Sequence, residues 1–170
     1  MRLTLVDALP DVVAAWTSEF ANRPEVRIVL GDLLAVAENA AVSPANSFGG
    51  MDGGIDLAYR EFFGRQIETR VKEIIARRPE GHLPIGAAAV VLTAHERIPY
   101  LIVAPTVQMP GPAELRSAYS AFRAVLRTAS GSPAIAEGVF CPGLGTGEGG
   151  LDPVEAAREM HRAYEDWLQS

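Results

Sequence analysis

Two glycine-rich segments of the chain have the composition of anion-binding loops. Residues 46–54 precede Ile55 and Asp56 in one predicted helix, and residues 143–150 precede another helix that begins near Asp152. Successive backbone N–H groups in such loops form a concave nest, and the N-terminus of a helix adds partial positive charge. Each segment is therefore suited to holding one phosphate of a diphosphate. This chemistry requires no lysine, and the chain has only one.

Neither segment has the sequence of a common nucleotide-binding loop. Residues 46–54 lack the Gly-x-x-x-x-Gly-Lys pattern, and neither segment has the glycine spacing of a dinucleotide-binding loop. One glycine run alone is explained by tight turns as well as by a phosphate site. Two runs, each leading into a helix, favour a ligand.

Strands and helices alternate around these two segments. Hydrophobic patterning predicts strands at residues 2–6, 26–30, 40–42, 87–92, 100–103 and 134–140. It predicts helices from Pro10, over residues 55–63, over residues 67–75, from Pro112 through Leu126, and after Asp152. The alternation indicates an α/β fold, a three-layer α/β/α sandwich with a mixed, largely parallel sheet. Ligands bind such sheets where strand ends lead into helices, which is where both segments lie.

The last predicted helix has the clearest start in the chain. Asp152 stands at the N-cap, Pro153 at the first helical position and Glu155 at the position of a capping box. We therefore expect an ordered loop-to-helix junction directly after the second glycine-rich segment.

Composition limits the classes of function. The length of 170 residues with 48% hydrophobic residues predicts a single domain, residues 1–170. The net charge of −6 disfavours bulk nucleic-acid binding and capture by an anionic membrane surface. A single cysteine, Cys141, excludes an internal disulfide, and the three histidines are dispersed, so we expect no metal site. Without a signal peptide or a long apolar run, we expect a soluble, cytoplasmic protein.

In the order and spacing of several motifs, the sequence resembles the macro domain family, which binds ADP-ribose. The segment 31–33, Gly-Asp-Leu, is similar to the family's Gly-Asp-Ile/Leu, and residues 43–46 to its Asn-Ala-Ala-Asn run. Residues 53–56 stand where the family has Gly-Gly-Val-Asp, and residues 83–84 match its Leu-Pro. Residues 145–147 correspond to its Ser-Thr-Gly phosphate loop. The resemblance covers nearly all of residues 26–160.

The resemblance implies roles for three polar side chains. Asp32, with Leu33 beside it, would bind the adenine amino group, although an Asp after a strand is also a common turn or cap residue. Asn46 would lie beside the distal ribose, or it would only stabilise its own loop. Asp56 would bind a ribose hydroxyl and orient or deprotonate a water at the scissile bond. Alternatively, it would only be an acidic residue in the first turn of a helix, where the helix dipole favours it.

The resemblance also implies how the diphosphate would be held. The backbone of the second loop would wrap it, namely Gly145, Thr146, Gly147, Glu148, Gly149 and Gly150. Gly53, Gly54 and Ile55 would supply amides from the opposite side. The Glu148 carboxylate would repel phosphate, so we expect it to face solvent or the distal ribose.

The chain departs from many relatives at three positions. Met51 and Asp52 replace glycines, and Gly149 replaces an aromatic residue. Phe48 is then either a replacement surface for the ligand or an ordinary core residue. Asp52 would raise the pKa of Asp56 only if both carboxyl groups were buried.

The function implied by the resemblance is binding of ADP-ribose and hydrolysis of the bond at its distal ribose, which removes ADP-ribose from modified proteins. Asn46 and Asp56 would be the catalytic residues, and no cofactor or metal is required. Two alternatives use the same cleft: a non-catalytic module that recognises ADP-ribose or ADP-ribosylated protein, and a phosphatase acting on ADP-ribose 1″-phosphate.

Overall fold

A six-stranded sheet is at the centre of the computed structural model, which describes residues 1–170. The strands are β1 (Leu3–Asp7), β2 (Arg27–Leu30), β3 (Ala40–Ser43), β4 (Ala89–Leu92), β5 (Tyr100–Val103) and β6 (Val139–Cys141). Their order across the sheet is β2-β1-β6-β3-β5-β4. All neighbouring strands are parallel except β4, which pairs antiparallel with β5. The predicted mixed, largely parallel sheet is confirmed.

Helices cover both faces of the sheet. They are α1 (Pro10–Glu19), α2 (Leu33–Val36), α3 (Gly54–Phe63), α4 (Gln66–Ala76), α5 (Leu115–Ser130), α6 (Pro133–Ala136) and α7 (Pro153–Leu168). Apolar side chains of α1, α5 and α7 form one core with the sheet, and those of α3 and α4 form a second core on the opposite face. The three-layer arrangement therefore follows the prediction. None of the helices has the length and apolarity that crossing a bilayer requires.

The central strands alternate between the two cores. In β3, Ala40 and Val42 belong to the core with α1, α5 and α7, whereas Ala41 belongs to the core with α3 and α4. In β5, Ile102 faces the first core and Leu101 the second. This two-residue period, apolar on both faces, is what a parallel sheet buried between helices requires.

The predicted strand over residues 134–140 is wrong in its first half. Residues Pro133–Ala136 form the short helix α6, and the strand is confined to Val139–Cys141. The Ser132 side chain accepts a hydrogen bond from the Ile135 N–H, and Pro133 has the backbone angle of a first helical residue. This local start overrides the apolar composition that suggested a strand.

Two other predicted boundaries shift by two or three residues. The helix predicted from Pro112 begins at Leu115, after Glu114 in extended conformation, and the strand predicted from residue 87 begins at Ala89. The side chains of Trp16, Phe122 and Cys141 are fully buried.

Tyr119 and His161, in contrast, are only half-buried. The Tyr119 hydroxyl donates to Asp166, and the edge of the His161 ring packs against Phe20. Both side chains therefore pack against neighbouring residues and also make a polar contact near the surface.

The N-cap of α7 provides a direct test of the local sequence analysis. Asp152 accepts a hydrogen bond of 3.0 Å from the Glu155 N–H, as the capping pattern predicts. We expect Asp152→Ala to lower the free energy of unfolding by about 1 kcal/mol, because one N–H loses its partner. Asp152→Asn retains an acceptor and serves as the control. Urea denaturation of both variants checks this, and equal stabilities would contradict it.

Candidate functional site

A cleft of about 630 Å³ lies across the carboxyl ends of the five parallel strands. Its walls come from the segments that follow β1, β2, β3, β5 and β6 and from the start of α3. The volume is within the range of small-molecule sites, and the carboxyl edge is where α/β sheets bind ligands. Both glycine-rich segments singled out in the sequence contribute to it.

Asp7, at the end of β1, connects two of these segments. Its Oδ2 accepts a hydrogen bond of 3.0 Å from the Gly143 N–H, and its Oδ1 accepts one of 2.9 Å from the Leu9 N–H. Strand β6 pairs with both β1 and β3. The second glycine-rich loop, which follows β6, therefore leaves the sheet between the segment after β1 and the segment after β3. The Asp7 carboxylate fixes the first residue of that loop.

Asn46 organises the first loop from within. Its Oδ1 accepts hydrogen bonds from the N–H groups of Phe48 and Gly50, at 3.0 and 3.4 Å, and its Nδ2 donates to the Gly50 carbonyl at 3.2 Å. The side chain also lines the cleft. The loop-stabilising role is therefore present in the structure, at a position that also lines the cleft.

The departures at Met51 and Asp52 leave the cleft open. The Met51 side chain is buried in the core with α3 and α4, and its N–H donates to the Glu68 carboxylate at 2.6 Å. Asp52 lies at the rim of the cleft with 86% of its side chain exposed and accepts from Arg60 at 2.7 Å. Its exposure and its arginine partner contradict the hypothesis that Asp52 raises the pKa of Asp56.

Asp56 is a buried carboxyl group in the first turn of α3. It is 7% exposed and lines the cleft, and its Oδ1 accepts a hydrogen bond of 2.5 Å from the Ser43 hydroxyl. Burial raises the pKa of Asp56 to about 7, the Ser43 hydrogen bond opposes this rise, and the negative charge of Glu148 adds to it. At neutral pH both protonation states of this group are populated.

Two hydrogen bonds attach α3 to the end of β3. Besides the bond between Ser43 and Asp56, the buried Tyr59 hydroxyl donates to the Val42 carbonyl at 2.7 Å. Asp56 and Tyr59 are three residues apart and therefore lie on the same face of the helix. The helix start, with Gly53 as its N-cap, is thus held at a fixed position beside the second loop.

The second loop lines the cleft from Gly145 through Gly149, whereas Gly150 lies outside the lining. A Cβ on Gly149 would lie 2.6 Å from the Gly145 carbonyl oxygen and 2.9 Å from the Ala113 Cβ. The Ala113 N–H also donates to the Gly149 carbonyl at 2.9 Å. A side chain at position 149 would therefore collide with the Gly145 carbonyl and with the segment before α5, which accounts for the glycine.

Glu148 reaches from the second loop to the first. A Cβ on Gly53 would lie 2.2 Å from the Glu148 Oε1 and 2.6 Å from its Oε2, so the carboxylate rests against the N-cap residue of α3. The residue is exposed at the mouth of the cleft. The Glu148 carboxylate is therefore both exposed to solvent and at the same end of the cleft as Asp56.

Asp32 lies at the opposite end of the cleft, after β2. Its Oδ1 accepts a hydrogen bond of 3.1 Å from the Leu34 N–H and caps the short helix α2, which the sequence analysis did not predict. Asp32 and Leu33 both line the cleft, so the capping role and the cleft position coexist. With three strand intervals between β2 and β3, the two ends are about 14 Å apart.

Several lining residues were missed in the sequence. They lie at or beyond the ends of β1, β5 and β6 and comprise Asp7, Ala8, Leu9, Thr106, Val107, Pro110, Gly111 and Pro142. The available signal was topological, because every parallel strand ends at the same edge of the sheet. Phe48, considered as a ligand surface, lies outside the lining, and its exposed ring packs near His82.

The charges in the cleft are all negative. Five carboxylate side chains line it and no Lys, Arg or His side chain does: Asp7, Asp32, Asp52, Asp56 and Glu148. No group of three or more His, Cys, Asp or Glu residues has the arrangement of a metal site. Donors for an anion in this cleft are therefore the backbone N–H groups of the two loops.

Comparisons with known proteins agree on one family. Residues 42–160 match the family model described as Macro domain. An uncharacterized protein of Aeropyrum pernix is 38% identical over 80% of this chain and 68% of that protein. The macrodomain of Mycobacterium tuberculosis DarG is 26% identical, with a TM-score of 0.67 over 80% of this chain and 87% of that chain. An Oceanobacillus iheyensis macrodomain mutant with ADPR is 19% identical, with a TM-score of 0.68 over 82% and 76%.

Removing Ser43 and removing the charge of Glu148 should change the pKa of Asp56 in opposite directions. Ser43→Ala removes a donor to the ionised form, so we expect this pKa to rise above about 7. Glu148→Gln removes a nearby negative charge, so we expect the pKa to fall. Titration of the Asp56 carboxyl carbon by NMR measures both, and changes of the same sign in the two variants would refute the assignment.

Proposed function

This chain belongs to the Macro domain family, and from that premise we propose that its cleft binds ADP-ribose and hydrolyses the bond at the distal ribose. The product would be ADP-ribose released from a modified protein. We further propose that residues 1–170 act as one such domain. The observation that carries the hydrolytic part is the buried Asp56 carboxyl group, held by Ser43 between two glycine-rich loops.

The shape of the cleft supports a ligand with two different ends joined by a diphosphate. The segment with Asp32 lies at one end, and Asn46 and Asp56 lie at the other, with the second loop between them. Among relatives of the same fold, the Oceanobacillus iheyensis macrodomain mutant has been solved with ADPR. We place the adenine beside Asp32, whose Oδ1 is used by Leu34 while Oδ2 remains as an acceptor for the amino group.

The diphosphate would be bound by the main chain. Residues Gly145–Gly149 and Gly53–Ile55 line the cleft from two sides, and their backbone N–H groups would be the donors. The N-terminus of α3, the positive end of its dipole, lies at the same space. These donors require no side-chain charge. An acidic protein can therefore bind an anion in this cleft, although no basic side chain lines it.

Asp56 has the properties of a general base at the distal ribose. A pKa of about 7 leaves a large ionised fraction at neutral pH while keeping the group basic enough to accept a proton. In the proposed reaction a water oxygen adds to C1″ of the ribose as Asp56 takes a proton from that water. The bond from C1″ to the carrier side chain breaks, and the leaving atom is protonated. Asn46 would orient the ribose hydroxyls.

Calorimetric titration with ADP-ribose tests binding before mechanism, with AMP as the control for the adenosine half alone. We expect a single site for ADP-ribose and much weaker binding of AMP, because AMP lacks the distal ribose and one phosphate. Absence of ADP-ribose binding would refute the proposed function. On the same sample, release of ADP-ribose from modified protein separates hydrolysis from binding alone: binding without release would identify a reader.

Asp56→Asn tests the catalytic role. We expect kcat to fall by about 10²-fold or more while the affinity for ADP-ribose changes little, since the amide keeps the shape and loses the base. In the wild type, kcat/KM should be low below pH 7, where Asp56 is protonated, and rise through an apparent pKa of about 7.

Glu61→Gln is the matched control for Asp56→Asn, because Glu61 is an exposed acidic residue on the same helix outside the cleft lining. Unchanged turnover in a folded Asp56→Asn protein, or an identical loss in the control, would exclude Asp56 as the base.

A further inference from the structure

The end of the cleft at the start of α3 carries three carboxylate side chains. Asp52, Asp56 and Glu148 all line it there, and no basic side chain lines any part of the cleft. The proposed function places the distal ribose and the group attached to it at this end. The charge of the surrounding side chains therefore acts on that attached group more than on the rest of the ligand.

Two of the three carboxylates already have partners. Asp56 is buried and accepts from the Ser43 hydroxyl, and Asp52 is paired with the Arg60 guanidinium at 2.7 Å. Arg60 is further held between Asp52 and Glu68, at 3.7 Å from the latter. The charge of Asp52 is thus largely balanced within the protein, and that of Asp56 depends on its titration.

Glu148 is different because its carboxylate has no hydrogen-bond donor and no ion-pair partner in the structure. The carboxylate rests against Gly53, so it lies between the two loops at the mouth of the cleft. The other two acidic lining residues, Asp7 and Asp32, accept backbone N–H groups. Glu148 is therefore the one lining carboxylate with no hydrogen-bond donor of any kind within the protein.

We propose that Glu148 is a specificity-determining residue that selects ADP-ribose conjugates whose attached group is cationic, such as an arginine guanidinium, and discriminates against a phosphate at that position. The inference rests on the proposed function and deepens it by naming the substrate class. A guanidinium beside an unpaired carboxylate gains a charge-assisted hydrogen bond, and its planar shape suits two carboxylate oxygens.

A phosphate attached at the distal ribose would be repelled by the charges at this end of the cleft. The backbone donors of both loops already serve the diphosphate, and the space beyond them is occupied by the negative charges of Glu148 and Asp56. Like charges a few ångströms apart at the edge of a protein repel by about 1.4 kcal/mol or more, which corresponds to about tenfold or more in affinity. A ligand that ends in phosphate should therefore be the poorest of the series.

The experiment compares three ligands on three proteins. ADP-ribose, ADP-ribose 1″-phosphate and an ADP-ribosyl-arginine peptide each compete with a fluorescent ADP-ribose analogue, and displacement is recorded immediately after mixing so that binding precedes release. The proteins are the wild type, Glu148→Gln and Glu155→Gln. The last is the matched control, because Glu155 is an exposed acid seven positions further along the chain and outside the cleft lining.

In the wild type we expect the arginine conjugate to bind more tightly than ADP-ribose, and the 1″-phosphate to bind about tenfold more weakly than ADP-ribose. Glu148→Gln should reduce both differences by about threefold or more, and higher salt should reduce them as well. Glu155→Gln should leave them unchanged. Equal ratios in the wild type and Glu148→Gln, or a 1″-phosphate that binds as tightly as ADP-ribose, would overturn the proposal.

The test separates this inference from the proposed function. If the fluorescent ADP-ribose analogue fails to bind the wild type, the proposed function fails and the selectivity fails with it. If the analogue binds and the three ligands compete equally well in the wild type, the proposed function stands and only the role of Glu148 is refuted.

Discussion

Strand β6 pairs in parallel with β1 on one side and β3 on the other, and the site depends on this insertion. The last strand of the chain thereby places its loop between two loops that come from the first third of the sequence. The hydrogen bond from the Gly143 N–H to Asp7 then fixes the direction in which the loop leaves the sheet. Without that pairing, the two glycine-rich segments would be separate turns with no shared cleft.

The same geometry sets the acidity of Asp56. An aspartate in the first turn of an isolated helix would be stabilised in its charged form by the helix dipole. Here the contacts of Ser43 and Tyr59 hold the helix start against β3, and burial raises the pKa of Asp56 by more than the Ser43 hydrogen bond lowers it. A residue type that is common as a helix cap thus acquires the pKa of a group that exchanges protons near neutrality.

The cleft separates two kinds of electrostatic recognition. The main chain supplies positive potential through N–H groups and a helix N-terminus, so the proposed binding of a diphosphate does not depend on basic side chains. The side chains supply only negative charge, and most of it is balanced locally by backbone donors or by Arg60. Glu148 remains as the exception, at the end of the cleft where the proposed function places the bond to be broken.

The sequence by itself determined the layer architecture, the start of α7 and the order of the motifs, because periodicity and capping are local properties. It also identified both glycine-rich loops as cleft segments. Tertiary structure decided the rest: that Met51 turns into the core, and that Glu148 rather than Asp52 lies beside Asp56. These outcomes depend on which distant segments meet at one sheet edge, and burial and charge proximity exist only after that packing.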